Sequence, residues 1–383
     1  MLQNQSHLFN LPQDITYLNC GYMSPMLKSV AEVGVRAVYG KEDPTTIKPE
    51  DFFRNGELLR AEFAKLINVK NENLCAITPS ASYGMANVAK NLQVEKGDNI
   101  IIPEGQFPSN VYAWKELEKE KGVTLRIIKA PETAENRGKL WNEHILEAID
   151  SKTKMVAIGH IHWADGTKFD LKKIRERTRE VGALLVIDGT QSIGALPFDV
   201  QEFQPDAVVA SGYKWLMGPY ATGIAYFGEY FQNGKPIENN WMNRLDSQNF
   251  ANLVNYQDEY QPGAIRYEVG ESANFILTPM LTEALRQVNA WRPENIQAYC
   301  KSIASEAQQE LASMGYQIES ADYRSEHLFG IRLPKGLDLE KVKNRLVADK
   351  VFVSVRGNSI RLSPHVYNTK EDFGSLLHSL RPA

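Results

Sequence analysis

The sequence predicts an α/β fold: a large domain built on a mostly parallel, doubly wound sheet, followed by a smaller C-terminal α+β domain. Short apolar strands alternate with amphipathic helices from about residue 74 to 227, which is the pattern of parallel strands joined by helical connections. From Tyr316 to Leu362 the pattern changes to short strands around one helix. We therefore predict an N-terminal segment at 1–20, the large domain at 21–262 and the small domain at 263–383.

Composition argues against several classes of protein. The 383 residues are 43% hydrophobic and 23% charged, with a net charge of −4, which is typical of a globular chain and does not suit a nucleic-acid binder. No apolar run approaches the roughly 18 residues of a membrane helix, and the first residues lack the features of a signal peptide. The three cysteines lie far apart and form no C-x-x-C pair. We expect a reduced, cytoplasmic protein without disulfides or a metal site.

Lys214 follows a predicted buried strand and is flanked by aromatic residues. The apolar run Asp206–Ala210 ends in Ser-Gly, and Tyr213 and Trp215 stand on either side of the lysine. Burial at such a position disfavours the charged ammonium group. A neutral amine is the form that makes a Schiff base with an aldehyde, so Lys214 is a candidate nucleophile. A lysine in this setting can also be an ordinary surface residue whose stem packs on the aromatic rings.

Asp188 follows the preceding predicted strand, Ala183–Ile187. Because the carboxyl ends of parallel strands gather at one edge of a sheet, Asp188 and Lys214 are expected to face one cleft. Pyridoxal phosphate uses both groups: its aldehyde takes the lysine, and a carboxylate keeps its ring nitrogen protonated. The alternative is that Asp188 is only a turn or capping residue.

Two further segments follow predicted strands. Ser80, Ala81 and Ser82 lie between a short strand and an amphipathic helix, and the free N–H groups of such a helix start, with nearby hydroxyls, can bind phosphate. An ordinary N-cap serine explains the same pattern. Phe107 comes after the next strand, among polar and turn residues. That is an unusual place for a core aromatic, and a ring there can lie on a flat cofactor ring.

Two histidines and one arginine complete the set of candidates. His160 and His162 follow the strand Met155–Ile158, and only one of them is expected to face the cleft. No third ligand accompanies them, which argues against a metal site; contact with a cofactor and a satisfied place in the core both stay open. Arg361 lies in the last predicted strand of the small domain, where it suits a bidentate contact with a substrate carboxylate or a surface ion pair.

The ordered series of motifs resembles the class V aminotransferase family of fold-type I pyridoxal-phosphate enzymes, and the likeness covers nearly the whole chain. Residues 188–192 resemble the family's D-x-x-Q segment, and residues 211–214 resemble its S-x-[HY]-K segment. The resemblance implies these roles: Lys214 as the Schiff-base lysine, Asp188 at the ring nitrogen, Gln191 at the ring hydroxyl, Ser211, Tyr213, Ala81 and Ser82 at the phosphate, Phe107 stacked on the ring, His162 facing the ring, and Arg361 on the substrate carboxylate.

The resemblance implies a homodimeric enzyme that acts at the Cα of a small amino-acid substrate, with aminotransferase as the first expectation. A kynureninase-like Cβ-lyase or an amino-acid epimerase shares the chemistry at Cα and stays open. A non-catalytic family member is a further alternative, against which the retained lysine, aspartate and arginine argue. A cysteine desulfurase needs a reactive cysteine shortly before the Arg361 segment, and none lies between Lys301 and Arg361. Gly270-Glu271 stands where much of the family has Gly-Thr, which puts the contact with the neighbouring subunit's phosphate in doubt.

Overall fold

The computed structural model describes residues 2–133, 135–357 and 359–381. The strands are β1 (Thr16–Tyr17), β2 (Cys75–Thr78), β3 (Asn99–Pro103), β4 (Thr124–Ile128), β5 (Thr153–Gly159), β6 (Leu184–Asp188), β7 (Ala207–Ser211), β8 (Gly223–Phe227), β9 (Gln317–Ile318), β10 (Phe329–Arg332), β11 (Val351–Phe352), β12 (Ser354–Arg356) and β13 (Ser359–Leu362). The α-helices are α1 (Lys28–Gly40), α2 (Asp51–Leu66), α3 (Ala81–Asn91), α4 (Tyr112–Lys121), α5 (Arg137–Ala148), α6 (Leu171–Val181), α7 (Val200–Phe203), α8 (Leu277–Trp291), α9 (Pro293–Ser313), α10 (Leu339–Ala348) and α11 (Lys370–Leu380). Among these described helices, none is both long and apolar enough to cross a membrane.

The large sheet has the strand order β2-β8-β7-β6-β5-β3-β4. Strand β8 runs antiparallel to both of its neighbours, and the other adjacent pairs are parallel. Continuous apolar runs form these strands because helices cover both faces of such a sheet. The predicted α/β class with a mostly parallel, doubly wound sheet is confirmed.

The side chains of β6 show how the sheet separates two apolar cores. Leu185 and Ile187 pack on one face with α2, α5 and α6, while Val186 packs on the other face with α3 and α4. The alternation follows from the two-residue repeat of a strand. Residues within the strands are buried in these cores, so a binding site at this sheet must be built from residues at the strand ends.

The small sheet has the antiparallel order β12-β13-β10-β9, and α9, α10 and α11 contribute to the core beneath it. Strand β1 pairs in parallel with β11, so the N-terminal segment joins this side of the molecule. Helix α8 reaches both parts: Leu281 and Leu285 enter the core of the large sheet, while Met280 and Val288 enter the core of the small one. The domain bounds taken from the sequence stay a prediction.

Strands β12 and β13 present two different faces. Val355 and Ile360 are cross-strand partners on the apolar face, which packs into the core of the small domain. Ser354 and Arg361 are partners on the opposite, polar face. This polar face meets the large domain, because the Arg361 guanidinium donates to the carbonyl oxygen of Trp163 at 2.6 Å. The alternation therefore places Arg361 at the junction of the two domains.

The turn after β7, which carries Lys214, packs against Gly194. This glycine has a φ of +105°, and it lies so close to the carbonyl group of Trp215 that a Cβ atom would have no room. Only glycine combines this backbone conformation with so close an approach. Gly194 thus helps to hold the lysine turn in place.

Gly194→Ala is expected to lower the free energy of unfolding by roughly 3–4 kcal/mol, because backbone strain and the collision with Trp215 act together. Gly182→Ala is the matched control, since this glycine also has a positive φ, +73°, but nothing lies within 4 Å of a Cβ added there. The control should cost only about 1 kcal/mol. Urea unfolding of the purified proteins measures both values, and equal losses would contradict the role given to the Trp215 contact.

Candidate active site

A cleft opens at the carboxyl ends of β3, β5, β6 and β7, beside the first residue of α3. Strand order explains its position, because parallel strands deliver their following turns to one edge of the sheet. The cleft is lined by Ala81, Gln106, Phe107, Gly159, Ile161, Trp163, Asp188, Thr190, Gln191, Ser211, Tyr213 and Lys214. Seven predicted site residues lie on this lining: Ala81, Phe107, Asp188, Gln191, Ser211, Tyr213 and Lys214. Ser82, His162 and Arg361 do not.

The Lys214 side chain is buried, with 6% of its surface exposed. Its Nζ lies 5.5 Å from the ring centres of both Phe107 and Tyr213. Burial, and then the positive charge of Arg361, lower the pKa of Lys214 from 10.5 to about 8, against the opposing effect of Asp188. At neutral pH roughly one amine in ten is then uncharged, far more than for an exposed lysine. Lys214 therefore has the form that reacts with an aldehyde.

Asp188 is a buried carboxylate on the same lining. Its Oδ1 accepts a hydrogen bond from the backbone N–H of Thr190 at 3.0 Å, and this contact caps the turn after β6. Burial raises the pKa of Asp188, whereas the bond from Thr190 and the charge of Lys214 lower it. A carboxylate in a place this poorly solvated is a strong acceptor for a protonated ring nitrogen.

Thr190 ties the ends of two neighbouring strands together. Its hydroxyl accepts a hydrogen bond from the backbone N–H of Ser211 at 3.3 Å and lies 3.5 Å from the Ser211 Oγ. The turn of Asp188 and the turn of Lys214 are therefore held in one arrangement. The sequence analysis did not single out Thr190, which occupies a variable position of the D-x-x-Q pattern.

Gln191 connects the cleft to two distant parts of the chain. Its side-chain amide donates to the carbonyl oxygen of Gly21 at 3.0 Å and accepts from the indole N–H of Trp215 at 2.9 Å. Its backbone carbonyl lies 2.9 Å from Nε2 of His327 in the small domain. An amide nitrogen carries two hydrogens, so one of them is still available to a ligand hydroxyl.

The helix α3 begins at Ala81 with Ser80 as its N-cap, whose Oγ accepts from the backbone N–H of Tyr83 at 3.2 Å. Ser82 is exposed, lies off the cleft lining and shares a 2.9 Å contact with Ser80. The capping interpretation is therefore correct for Ser80. Of the four residues predicted to bind the phosphate, three line the cleft: Ala81, Ser211 and Tyr213.

His162 does not face the cleft as expected. Its Nδ1 lies 2.9 Å from Asp165, and its Nε2 lies 3.2 Å from the carbonyl oxygens of Glu104 and Gly105. These partners turn the imidazole toward the interior, where Trp141 packs on it. Asp165 is a local partner, whereas the two carbonyl groups that hold Nε2 come from the turn after β3 and are therefore a tertiary feature.

Trp163 takes the place on the cleft that the sequence analysis gave to His162. Its indole N–H donates to the carbonyl oxygen of Gly105 at 2.7 Å. Its ring meets Phe107 edge to face, with the ring centres 5.3 Å apart. Residue 163 is the next position along the same strand-end segment, so the opposite face of that segment reaches the cleft. His160 is buried as well, and the described residues contain no cluster of ligands that suits a metal ion.

Arg361 is 1% exposed and lies behind the cleft lining. Besides its bond to Trp163, its guanidinium donates to the Ser354 Oγ at 3.2 Å, and its Nε has no partner among the described residues. Burial and the nearby charge of Arg356 lower the pKa of Arg361 to about 10. The charge of Arg361 in turn acts on Lys214. Arg356, which the sequence analysis missed, lies with its guanidinium carbon 5.4 Å from the centre of the Trp163 ring.

The three cysteines are buried. Burial raises the pKa of Cys20 to about 12 and raises the pKa of Cys75 and Cys300 as well. A buried thiol with a raised pKa is a poor nucleophile. The structure therefore presents no reactive cysteine at this cleft.

These residues fit pyridoxal phosphate. The cleft joins a buried lysine of low pKa, a buried carboxylate, an aromatic ring, and serine and tyrosine side chains beside a helix start. Each matches one part of the cofactor: the aldehyde, the ring nitrogen, the ring face and the phosphate. Fold and cleft together define a fold-type I enzyme that depends on pyridoxal phosphate.

Comparison with known proteins identifies the family. The model for the class V aminotransferases matches residues 49–376, and the chain belongs to that family. It is similar to the uncharacterized aminotransferase YcbU of Bacillus subtilis, with 28% identity over 317 residues, 82% of this chain and 80% of that protein. It is also similar to a probable cysteine desulfurase of Staphylococcus aureus, with 31% identity over 334 residues, 78% of this chain and 72% of that protein.

A solved structure shares the fold. C-DES, crystallised as a variant with glycine covalently linked to its pyridoxal-phosphate cofactor, superposes with a TM-score of 0.86 and 19% identity. The match covers 98% of both chains. The cofactor expected of this chain, pyridoxal phosphate, follows from its membership of the class V family.

Borohydride reduction of the cofactor-loaded protein should fix the cofactor to a single peptide, the one that contains Lys214. Lys214→Arg keeps the positive charge but should abolish the label, because a guanidinium does not attack the aldehyde. Peptide mass spectrometry measures the attachment. Lys168→Arg is a control at another partly buried lysine and should leave the label in place. Labelling of any lysine other than Lys214 would rule out the assignment.

Proposed function

We propose that this protein is an aminotransferase that acts at the Cα of an α-amino acid. One observation carries the proposal: the buried Lys214 amine, with a pKa lowered to about 8, shares a cleft with the buried carboxylate of Asp188. A group with a pKa near neutral pH can both take and return a proton during turnover. The membership of the chain in the class V family supports the same conclusion.

Each side chain has a distinct part in the proposal. Bound pyridoxal phosphate supplies the electron sink that stabilises negative charge at the substrate Cα. Asp188 would hold the proton on the ring nitrogen, and Phe107 would cover the ring. Lys214 would hold the cofactor through its Nζ; once the substrate amine has displaced it there, the freed neutral amine would take the Cα proton and return it as an ammonium group. Arg361 binds the substrate carboxylate, a role that its buried and unpartnered Nε supports.

Loss of the Cα proton is common to several reactions, so the products decide among them. The purified holoenzyme should convert an amino acid to its 2-oxo acid in many turnovers only when a second 2-oxo acid is supplied as acceptor. Release of a Cβ fragment without an acceptor would indicate a lyase, and racemised substrate would indicate an epimerase. If no amino acid reacted in any of these ways or exchanged its Cα hydrogen, the proposal would fail.

Asp188→Asn tests the electron-sink arrangement. The variant should keep the cofactor but exchange the substrate Cα hydrogen on the order of 100-fold more slowly, because an amide holds the ring proton poorly. Exchange into deuterated water, followed by mass spectrometry, gives the rate. The exposed Asp14→Asn serves as a control for the loss of one carboxylate. A rate close to that of the wild type would remove Asp188 from the mechanism.

The buried cysteines lead to a further expectation. Cysteine supplied as substrate should yield little sulfide and no persulfide on the protein, since no thiolate is available to accept the sulfur. A Cys20→Ser, Cys300→Ser double variant should keep the main activity within about threefold, as expected for residues outside the reaction. Sulfide assays and intact-mass measurements test both points. Strong sulfide release that disappears in the double variant would favour a desulfurase instead.

A further inference from the structure

The polar face of β12 and β13 carries a second arginine besides Arg361. Arg356 pairs with Ser359, and Arg361 pairs with Ser354. Residues two apart on a strand share a face, so the two arginines are diagonal neighbours on the side that meets the large domain. Diagonal positions of this kind lie roughly 7–8 Å apart. Both guanidinium groups can therefore serve one small ligand.

Trp163 connects Arg356 to the cleft. The tryptophan lines the cleft together with Lys214, and the Arg356 guanidinium lies over its ring. Such a cation–π contact holds a guanidinium in place without using all of its hydrogen-bond donors. The positive charge of Arg356 also reaches Lys214 and Arg361 and adds to the effects that lower both pKa values. The charge of Arg356 therefore influences the ionisation of groups at the cleft.

Neither arginine forms an ion pair in the described part of the chain. Arg356 donates to the carbonyl oxygen of Val355 at 2.8 Å, and Arg361 donates to a carbonyl and a hydroxyl oxygen. Asp188 is the carboxylate on the cleft lining, and its position suits the cofactor ring. Cys20 and Tyr17 approach Arg361, but burial raises the pKa of both groups and keeps them neutral.

Arg361 is buried and Arg356 is partly buried, and neither has an anionic partner in the described part of the chain, so a ligand can supply negative charge to both guanidinium groups. The carboxylate on the substrate Cα supplies one negative charge. A neutral substrate side chain would leave the second guanidinium without an anionic partner, whereas an acidic side chain would pair with it. The charge arrangement therefore favours an amino acid with two acid groups.

We propose that the substrates are α-amino acids with an acidic side chain, such as aspartate or glutamate. Arg361 binds the acid group on Cα, and Arg356 binds the acid group of the side chain. The inference rests on the proposed function, since it names the substrate class of the same cleft. Arg356 is then the residue that determines specificity.

Matched substrate pairs test the specificity. The wild-type holoenzyme should prefer aspartate to asparagine, and glutamate to glutamine, by at least about 100-fold in kcat/KM. Arg356→Gln should reduce that ratio at least 30-fold, and Arg356→Lys should restore part of it because the charge returns. Arg361→Gln should weaken both members of each pair and leave the ratio within about threefold. Arg345→Gln, on α10 away from the cleft, is the charge-matched control and should leave the ratio unchanged.

A binding measurement separates this inference from the proposed function, because it needs no turnover. Succinate and butyrate have chains of equal length and differ by one carboxylate. Calorimetric titration of the holoenzyme should show much tighter binding of succinate, and Arg356→Gln should remove the advantage. If that holds while no amino acid is turned over, the substrate class stands and the aminotransferase proposal falls. Equal weakening of both ligands in Arg356→Gln, or turnover without preference for acidic substrates, would overturn the role of Arg356.

Discussion

The burial of Lys214 beside Asp188 at the carboxyl edge of the large sheet is the constraint on which the site depends. Removing an ammonium and a carboxylate from water costs several kcal/mol for each group unless neighbouring groups compensate. The sheet imposes this burial because β6 and β7 are adjacent and parallel, and both residues stand where these strands end. The lowered pKa of the lysine follows from that position. Reactivity is thus a consequence of where the strands end.

Hydrogen bonds around the cleft join parts of the chain that are far apart in sequence. Gln191 contacts Gly21, Trp215 and His327, while Arg361 contacts Trp163. The N-terminal segment, the lysine turn and the small domain therefore meet at the cleft through polar contacts, with the apolar cores on either side. Such contacts are directional, so they set the orientation of the side chains more closely than apolar packing does.

Much of the site could be predicted because its signals are local. Asp188 comes directly after a predicted buried strand and Lys214 comes shortly after the end of another, and parallel strands bring such positions together. Ala81, Phe107 and Ser211 also follow strands and also line the cleft. Ser80 rather than Ser82 makes the cap of α3, and the exposed Ser82 lies off the cleft lining, so its contact with a phosphate stays a prediction.

The sequence by itself determined the α/β class, the mostly parallel sheet and the lysine–aspartate pair, since apolar runs, turn residues and strand ends are properties of short segments. Tertiary structure decided that Trp163 rather than His162 faces the cleft, because the carbonyl groups that hold Nε2 of His162 belong to the turn after β3. Tertiary structure also decided that Arg356 and Arg361 lie as diagonal neighbours on one face of β12 and β13. This arrangement of the two arginines depends on the register of β12 and β13 and on which face of these strands meets the large domain. A register arises from the contact between two strands, so the sequence of neither strand alone determines it.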